Sequence, residues 1–201
     1  EIAPDVVINL CGENVGAGGP LVDIAVDPLE GTTLAAENRP GALCVAAFAP
    51  RGELLHAPDV YMQKIAAGPG LDLQAEDLAG PLDKVLERLS GQAGRPLRVV
   101  MLDRERHQDL RASAKSAGAE LTLIPEGDVM GALQTCLLDA SGHAPFDLYV
   151  GSGGAPEGVL AACGLQTLGG SFYGRLLFRD DAERERATRL GITDLDRVYG
   201  I

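Results

Sequence analysis

Apolar runs of strand length recur along this chain, and the first, residues 21–26, is broken by only one charge. Such a run suits a buried strand. A polar stretch containing Gly31 leads to Pro40, and residues 41–48 predict a second buried strand. Ala49-Pro50-Arg51-Gly52 then reads as a hairpin turn into Glu53-Leu54-Leu55. Residues 62–67 predict one more strand, 68–82 a loop, and 81–89 a short helix. From Pro96 the rhythm becomes an alternation: strands over 97–102, 120–124, 146–150 and 171–178, and helices over 104–117, 128–138, 156–168 and 181–190. Gly118 is placed to stop the first of these helices, and Pro156 to open the third. Alternation of this kind implies parallel βαβ units. The fold class expected is α/β in a layered sandwich, with a seam near 90–97. A strand-rich lobe (1–95) would precede a βαβ lobe (96–201), and residues 1–20 read as an irregular, Gly-rich approach.

Composition narrows the function. Of 201 residues, 46% are apolar and 23% charged, ordinary for a globular enzyme, but aromatics reach only 4% and Trp is absent, so the core must be aliphatic. The formal charge is −12 with no Lys/Arg-rich run. Nucleic acid and anionic membrane are poor partners for such a surface. A small anionic substrate is compatible with it, provided that cations stand between phosphate and carboxylates. Cys11, Cys44, Cys136 and Cys163 form no CxxC pair and read as free thiols of a reducing compartment. No run approaches the ~20 apolar residues of a membrane span, and the first residues do not resemble a signal peptide. A cytoplasmic location is expected.

Four segments carry candidate chemistry. In Val26-Asp27-Pro28-Leu29-Glu30-Gly31-Thr32-Thr33 a turn at Pro28 would bring the Asp27 and Glu30 carboxylates to one point. Hard cations such as Mg²⁺ or Mn²⁺ take oxygen ligands of this type, although an acidic turn capping a helix needs the same residues. Gly151-Ser152-Gly153-Gly154-Ala155-Pro156-Glu157-Gly158 reads as a glycine-rich strand-to-helix turn whose N–H groups suit phosphate, while neither a dinucleotide fingerprint nor a P-loop is met. Glu157 in the first helical turn is either a helix-dipole partner or a metal ligand. Asp103-Arg104-Glu105-Arg106-His107 places two guanidinium groups at the end of a strand, as a phosphate clamp or as solvated charges. His107 alone reads as a surface or capping residue. Pro125-Glu126-Gly127-Asp128 is a turn with Asp128 as N-cap, or a pair of acceptors for sugar hydroxyls. Tyr61 reads as packing with a wet hydroxyl.

Together, Asp27-Pro28-Leu29-Glu30-Gly31-Thr32, Ala57-Pro58-Asp59-x-Tyr61-Met62-x-Lys64, Arg104-x-Arg106-His107, Gly127-Asp128-Val129 and Gly153-Gly154-Ala155-Pro156-Glu157-Gly158 resemble class II fructose-1,6-bisphosphatases, within the lithium-sensitive sugar and inositol phosphatases. The likeness runs from about Gly12 to Arg189. It implies an α/β/α/β/α layered sandwich and hydrolysis of the 1-phosphate of fructose 1,6-bisphosphate with Mg²⁺ or Mn²⁺. It implies metal ligation by Asp27, Glu30 and Glu157, which would make the first lobe metal-binding and the second substrate-binding. Thr32 would orient the attacking water. Glu30, Gly31, Thr32, Tyr61, Arg104, Glu105, Arg106, Glu126, Gly127, Asp128 and Gly154 would hold the substrate, in a homo-oligomer. Relatives of this family carry further acids before the point matching Glu1 and at least one strand beyond Ile201, so both lobes are expected to lack a terminal part. The competing readings are a sedoheptulose 1,7-bisphosphatase, another sugar or inositol phosphatase, or a truncated paralogue that binds sugar phosphates without hydrolysing them.

Overall fold

The structure, a computed structural model, describes residues 19–201. Cys11, Gly12 and the expected approach segment, except Gly19 and Pro20, lie outside the described residues. Strands β1 (Val22–Glu30) and β2 (Leu43–Pro50), joined through helix α1 (Thr32–Ala36), pair antiparallel in a sheet of their own. They alternate rather than bury both faces: Ala25, Val45 and Ala47 turn to the core, while Val22, Ile24, Val26 and Phe48 are exposed. The chain does not turn at Pro28. β1 runs on to Glu30 through a register shift after Asp27, where the N–H that Pro28 lacks is not needed by a ladder. The turn after Pro50 forms, with Glu53 N–H donating to the Pro50 carbonyl at 3.1 Å, but residues 53–55 pair with no strand.

The remaining elements are β3 (Tyr61–Ala67), α2 (Leu82–Ala93), β4 (Arg98–Leu102), α3 (Gln108–Ser116), β5 (Glu120–Ile124), α4 (Asp128–Leu133), β6 (Leu148–Gly154), α5 (Ala155–Leu168), β7 (Ser171–Leu177), α6 (Asp181–Arg189) and β8 (Val198–Gly200). Short 3₁₀ turns at Ala75–Leu78 and Glu105–His107 precede α2 and α3. The second sheet has the order β5-β4-β6-β3-β7-β8. The expected parallel pairing holds for β4 with β5 and with β6, whereas β3 lies antiparallel between β6 and β7. The expected seam near 90–97 therefore does not separate the sheets, because a strand from the first half occupies the middle of the second-half sheet.

Side-chain alternation makes this sheet the floor of two cores. Met62, Ala66, Val100, Tyr149, Phe172 and Leu176 meet α4 and α5 on one face; Ile65, Val99, Met101, Leu148 and Val150 meet α2 and α3 on the other. Helix α2 buries Leu82, Val85, Leu86 and Leu89 at the spacing of a single stripe. Helix α5 is apolar on several sides because it is sandwiched, touching β1 and β2 as well as β3, β6 and β7. The layered α/β sandwich is thus present as sheet, helices, sheet, helices among the described residues. None of the described helices is long and apolar enough to cross a membrane.

Candidate functional site

Two segments nearly a hundred positions apart exchange carboxylates. Glu30, at the end of β1, accepts from the backbone N–H of Val129 at 2.6 Å and of Met130 at 3.4 Å, and so caps α4 from outside. Glu126, before α4, accepts from the Thr33 N–H at 3.1 Å and caps α1 in return. Both helices start on a left-handed glycine without a side-chain cap of its own, Gly31 at φ 77° and Gly127 at φ 96°. Only glycine reaches that region without penalty. The expected cap, Asp128, is instead the first helical residue, and its carboxylate is engaged elsewhere. Burial pushes the Glu30 carboxyl up to about 7; the Val129 N–H opposes this, and the charges of Asp128 and Asp27 add to it.

Asp128 is clamped from two sides. Lys64, 1% exposed on β3, forms an ion pair with one oxygen, and the buried Tyr149 hydroxyl on β6 donates to the other. Burial and Asp128 hold the Tyr149 phenol well above its ordinary range. The glycines expected to form a phosphate-cradling turn are part of β6, opposite Tyr61–Lys64, and they make room for side chains. A Cβ on Gly153 would come to 2.8 Å from Asp128 Cγ, and one on Gly154 to 2.8 Å from Glu157 Cδ. On Gly158 it would meet Met62 Sδ at 2.6 Å and Lys64 Cε at 3.4 Å. Glu157 projects from the first turn of α5, and its Oε2 is buried with no hydrogen-bond partner among the described residues. Burial raises its carboxyl; its own backbone N–H and the Lys64 charge oppose, and Asp128 and Asp27 reinforce.

Beside this acid cluster stands a cationic edge. Arg106 donates from Nε to Ser152 Oγ at 3.0 Å and from Nη2 to the Ser152 carbonyl at 2.6 Å, and its guanidinium lies 4.9 Å from the Tyr61 ring centre. Arg179 also approaches that ring, at 5.8 Å, while paired with Glu183. Arg104 does not join Arg106: its Nη1 donates to the Asp103 carbonyl at 3.1 Å. Glu105 is exposed in the 3₁₀ turn. His107 is not at the surface but 1% exposed, and it stands at the N-cap position of α3 without a capping bond from its side chain. Its Nε2 accepts from the Ser152 N–H at 3.0 Å, so Nδ1 carries the proton donated to the Leu102 carbonyl at 2.9 Å. Burial lowers its pKa, the Leu102 carbonyl opposes, and the charges of Arg106 and Arg111 lower it further.

Residues 5–201 match the family described as bacterial fructose-1,6-bisphosphatase, glpX-encoded. The chain belongs to this family. It is 40% identical over 207 residues to fructose-1,6-bisphosphatase 2 class 2 of Escherichia coli (strain K12), covering 94% of this chain and 63% of the relative. Fructose-1,6-bisphosphatase 1 class 2 of the same organism is 40% identical over 192 residues, covering 92% of this chain and 56% of the relative. The D-fructose 1,6-bisphosphatase class 2/sedoheptulose 1,7-bisphosphatase of Prochlorococcus marinus (strain NATL1A) is 37% identical over 204 residues, with 94% and 60% covered. The chain therefore spans about three fifths of the length of these curated relatives.

The motif residues come from elements of both sheets and the helices between them. Asp27 and Glu30 come from β1, Thr32 from α1, Tyr61 from β3, Glu126 to Asp128 from the entry to α4, and Gly154 and Glu157 from the β6–α5 junction. Among the described residues no group of three or more His, Cys, Asp or Glu stands close enough to hold a metal ion. Asp27 is half-buried, with Oδ1 accepting from the Leu29 N–H at 3.0 Å. Sequence reasoning missed Lys64 and Tyr149 as members of the site. A signal existed for Lys64, a charge on the same strand face as Met62 and Ala66 in an otherwise apolar run. Tyr149, in the middle of a buried strand, carried no such signal.

Proposed function

We propose that this chain carries the reaction centre of a phosphatase that hydrolyses the 1-phosphate of fructose 1,6-bisphosphate in the cytoplasm, with Mg²⁺ or Mn²⁺ as cofactor. The observation that carries the reading is the buried Glu157 Oε2, which has no hydrogen-bond partner among the described residues. An oxygen anion is costly to bury unpaired, and a hard cation would relieve that cost. Glu30 and Glu157 both feel the charge of Asp27; the three do not stand close enough to hold an ion as they are placed, and they are the acids that would have to draw together around one. Because they stem from β1 and α5, ligation is not confined to residues 1–95. Bound there, a divalent cation would supply Lewis-acid polarisation of the phosphoryl group and an acidified water.

The chain's own side chains would do the rest. The Thr32 hydroxyl, exposed at the start of α1, would orient the attacking water. Arg106, preset by two bonds to Ser152, would grip a phosphate with its remaining donors while Tyr61 lies against the sugar. Arg104, Glu105, Glu126, Gly127, Asp128, Gly154 and Gly31 would complete the substrate pocket. A homo-oligomer is the expected assembly. Sedoheptulose 1,7-bisphosphate is the second reading, favoured by the name of the Prochlorococcus relative.

Phosphate release by the intact protein from both bisphosphates and from inositol 1-phosphate, with either cation or with chelator, tests this. A second phosphate gripped by Arg106 contributes about 1.5–3 kcal/mol, or roughly 10–150-fold in kcat/KM over the monophosphate. No cation-dependent release from either sugar bisphosphate would overturn the proposal.

A further inference from the structure

We infer that His107 is a positioning residue for the phosphate clamp: its unprotonated Nε2 fixes the backbone and hydroxyl of Ser152, and these in turn aim the Arg106 guanidinium. The inference rests on the reading of Arg106 given above. Strand β6 pairs with β4 through Leu148 and Tyr149, opposite Val99 and Val100. Ser152 lies further along β6, past the end of β4 at Leu102. Buried backbone groups on that edge still need partners, and two adjacent side chains of the 3₁₀ turn supply them. The Ser152 N–H donates to His107 Nε2 at 3.0 Å, and its carbonyl accepts from Arg106 Nη2 at 2.6 Å. Gly151 keeps room for the imidazole, since a Cβ there would lie 3.1 Å from His107 Cε1.

Proton accounting then joins the two side chains. Arg106 Nε–H can only donate, so the Ser152 hydroxyl oxygen 3.0 Å away accepts there. The hydroxyl proton needs an acceptor of its own, and His107 Nε2 stands 3.1 Å from Ser152 Oγ. Nδ1 is committed to the Leu102 carbonyl at 2.9 Å, which leaves Nε2 with its lone pair. The other tautomer would set Nε2–H against the Ser152 N–H, donor facing donor. A buried, neutral imidazole thus decides which way the hydroxyl points, and the hydroxyl decides the plane of a guanidinium already laid over the Tyr61 ring at 4.9 Å. The remaining Arg106 donors are left for an anion, with their direction set before it arrives.

The test uses the intact protein and two readouts. In ¹⁵N–¹H spectra the Arg106 Nε–H signal, assigned by its loss in Arg106→Lys, reports the bond to Ser152 without reference to turnover. Ser152→Ala and His107→Phe are expected to speed its exchange with water about 5-fold, whereas His107→Gln, which keeps an acceptor near the Nε2 position, should hold it within ~2-fold. In steady-state kinetics the same two losses should raise KM for fructose 1,6-bisphosphate about 5-fold, more than for a monophosphate ester and more than they lower kcat. In an Arg106→Ala background they should add little, because all three changes disable one element. If His107→Phe does not fold, Ser152→Ala and His107→Gln decide the matter by the same comparison. Unchanged Nε–H exchange in folded variants overturns the inference, and so does a KM effect that persists undiminished without Arg106. Arg106→Ala that leaves both KM values untouched refutes instead the reading of Arg106 as a phosphate clamp, while the exchange rates still show whether His107 aims it.

Discussion

Replacing Gly154 with Ala probes the site with one methyl group. The backbone there, φ −62° and ψ 146°, is open to any residue, so alanine brings no conformational strain. The cost is contact: the new Cβ would lie 2.8 Å from Glu157 Cδ and 3.1 Å from Oε1, with Oε2 nearer still. Carbon atoms settle at about 3.5–4.0 Å, so the carboxylate must retreat by roughly 0.7–1.2 Å. The far end of a flexible side chain yields readily, which places the folding cost at or below the usual ~1–3 kcal/mol of overpacking. A group displaced by about 1 Å in a reaction centre costs on the order of 10²-fold in rate. The expected outcome for the intact protein is a Gly154→Ala variant that melts within a few degrees of wild type yet turns over about 100-fold more slowly in saturating Mn²⁺. In a Glu157→Gln background the same methyl group should add little further loss, because the two changes disable one element. If Gly154→Ala keeps wild-type turnover while Glu157→Gln is inactive, the glycine is not conserving space for that carboxylate and the reasoning is wrong.

Three further outcomes are expected. Asp147 accepts from Arg95, from Arg98 and from the Arg98 N–H; burial alone would raise its carboxyl, but these bonds hold it well below the usual range. Its stabilisation is present above an unfolded value of about 3.9 and is lost as pH falls toward the folded one, so Asp147→Asn should cost ~1.5–3 kcal/mol in urea melts at pH 7 and flatten the acid limb. His107, whose pKa is lowered, binds its proton more readily when unfolded, so stability should decline as pH drops below about 6.5, and His107→Phe should remove that decline in thermal melts. Arg106→Ala should raise KM for the bisphosphate roughly 10-fold or more while Arg104→Ala does so by less than ~3-fold, steady-state kinetics deciding between them.

Period and punctuation made most elements legible in the sequence. The helix ending near 168 and the strand starting at 171 were marked by apolar runs flanked by glycine, and Pro156 by its preference for the first helical turn. What escaped was whatever depends on partners distant in sequence. The apolar run at 21–26 looks like a buried strand, but its pairing in a two-stranded sheet exposes one face. Nothing local announces that β3 will be flanked by β6 and β7, or that Glu30 will cap a helix formed by residues 128–133. The glycine-rich motif reads in the sequence as a phosphate-binding turn, whereas in the structure Gly153 and Gly154 lie in a strand and leave volume for Asp128 and Glu157.

The central position of β3 also has a consequence in time. Its neighbour β6 begins at Leu148, the partner of Ala67, about 80 residues further along the chain. At a synthesis rate of roughly 5–20 residues per second, Met62, Ile65, Ala66 and Ala67 wait some 4–16 s before a flanking strand exists, and longer for β7. During that interval an apolar segment with both edges unpaired is open to wrong partners. Lys64 and Gln63 in its middle make it a poor template for a neighbouring nascent chain. The ammonium that ends its journey against Asp128 thus guards the strand while the ribosome is still making the residues that will enclose it.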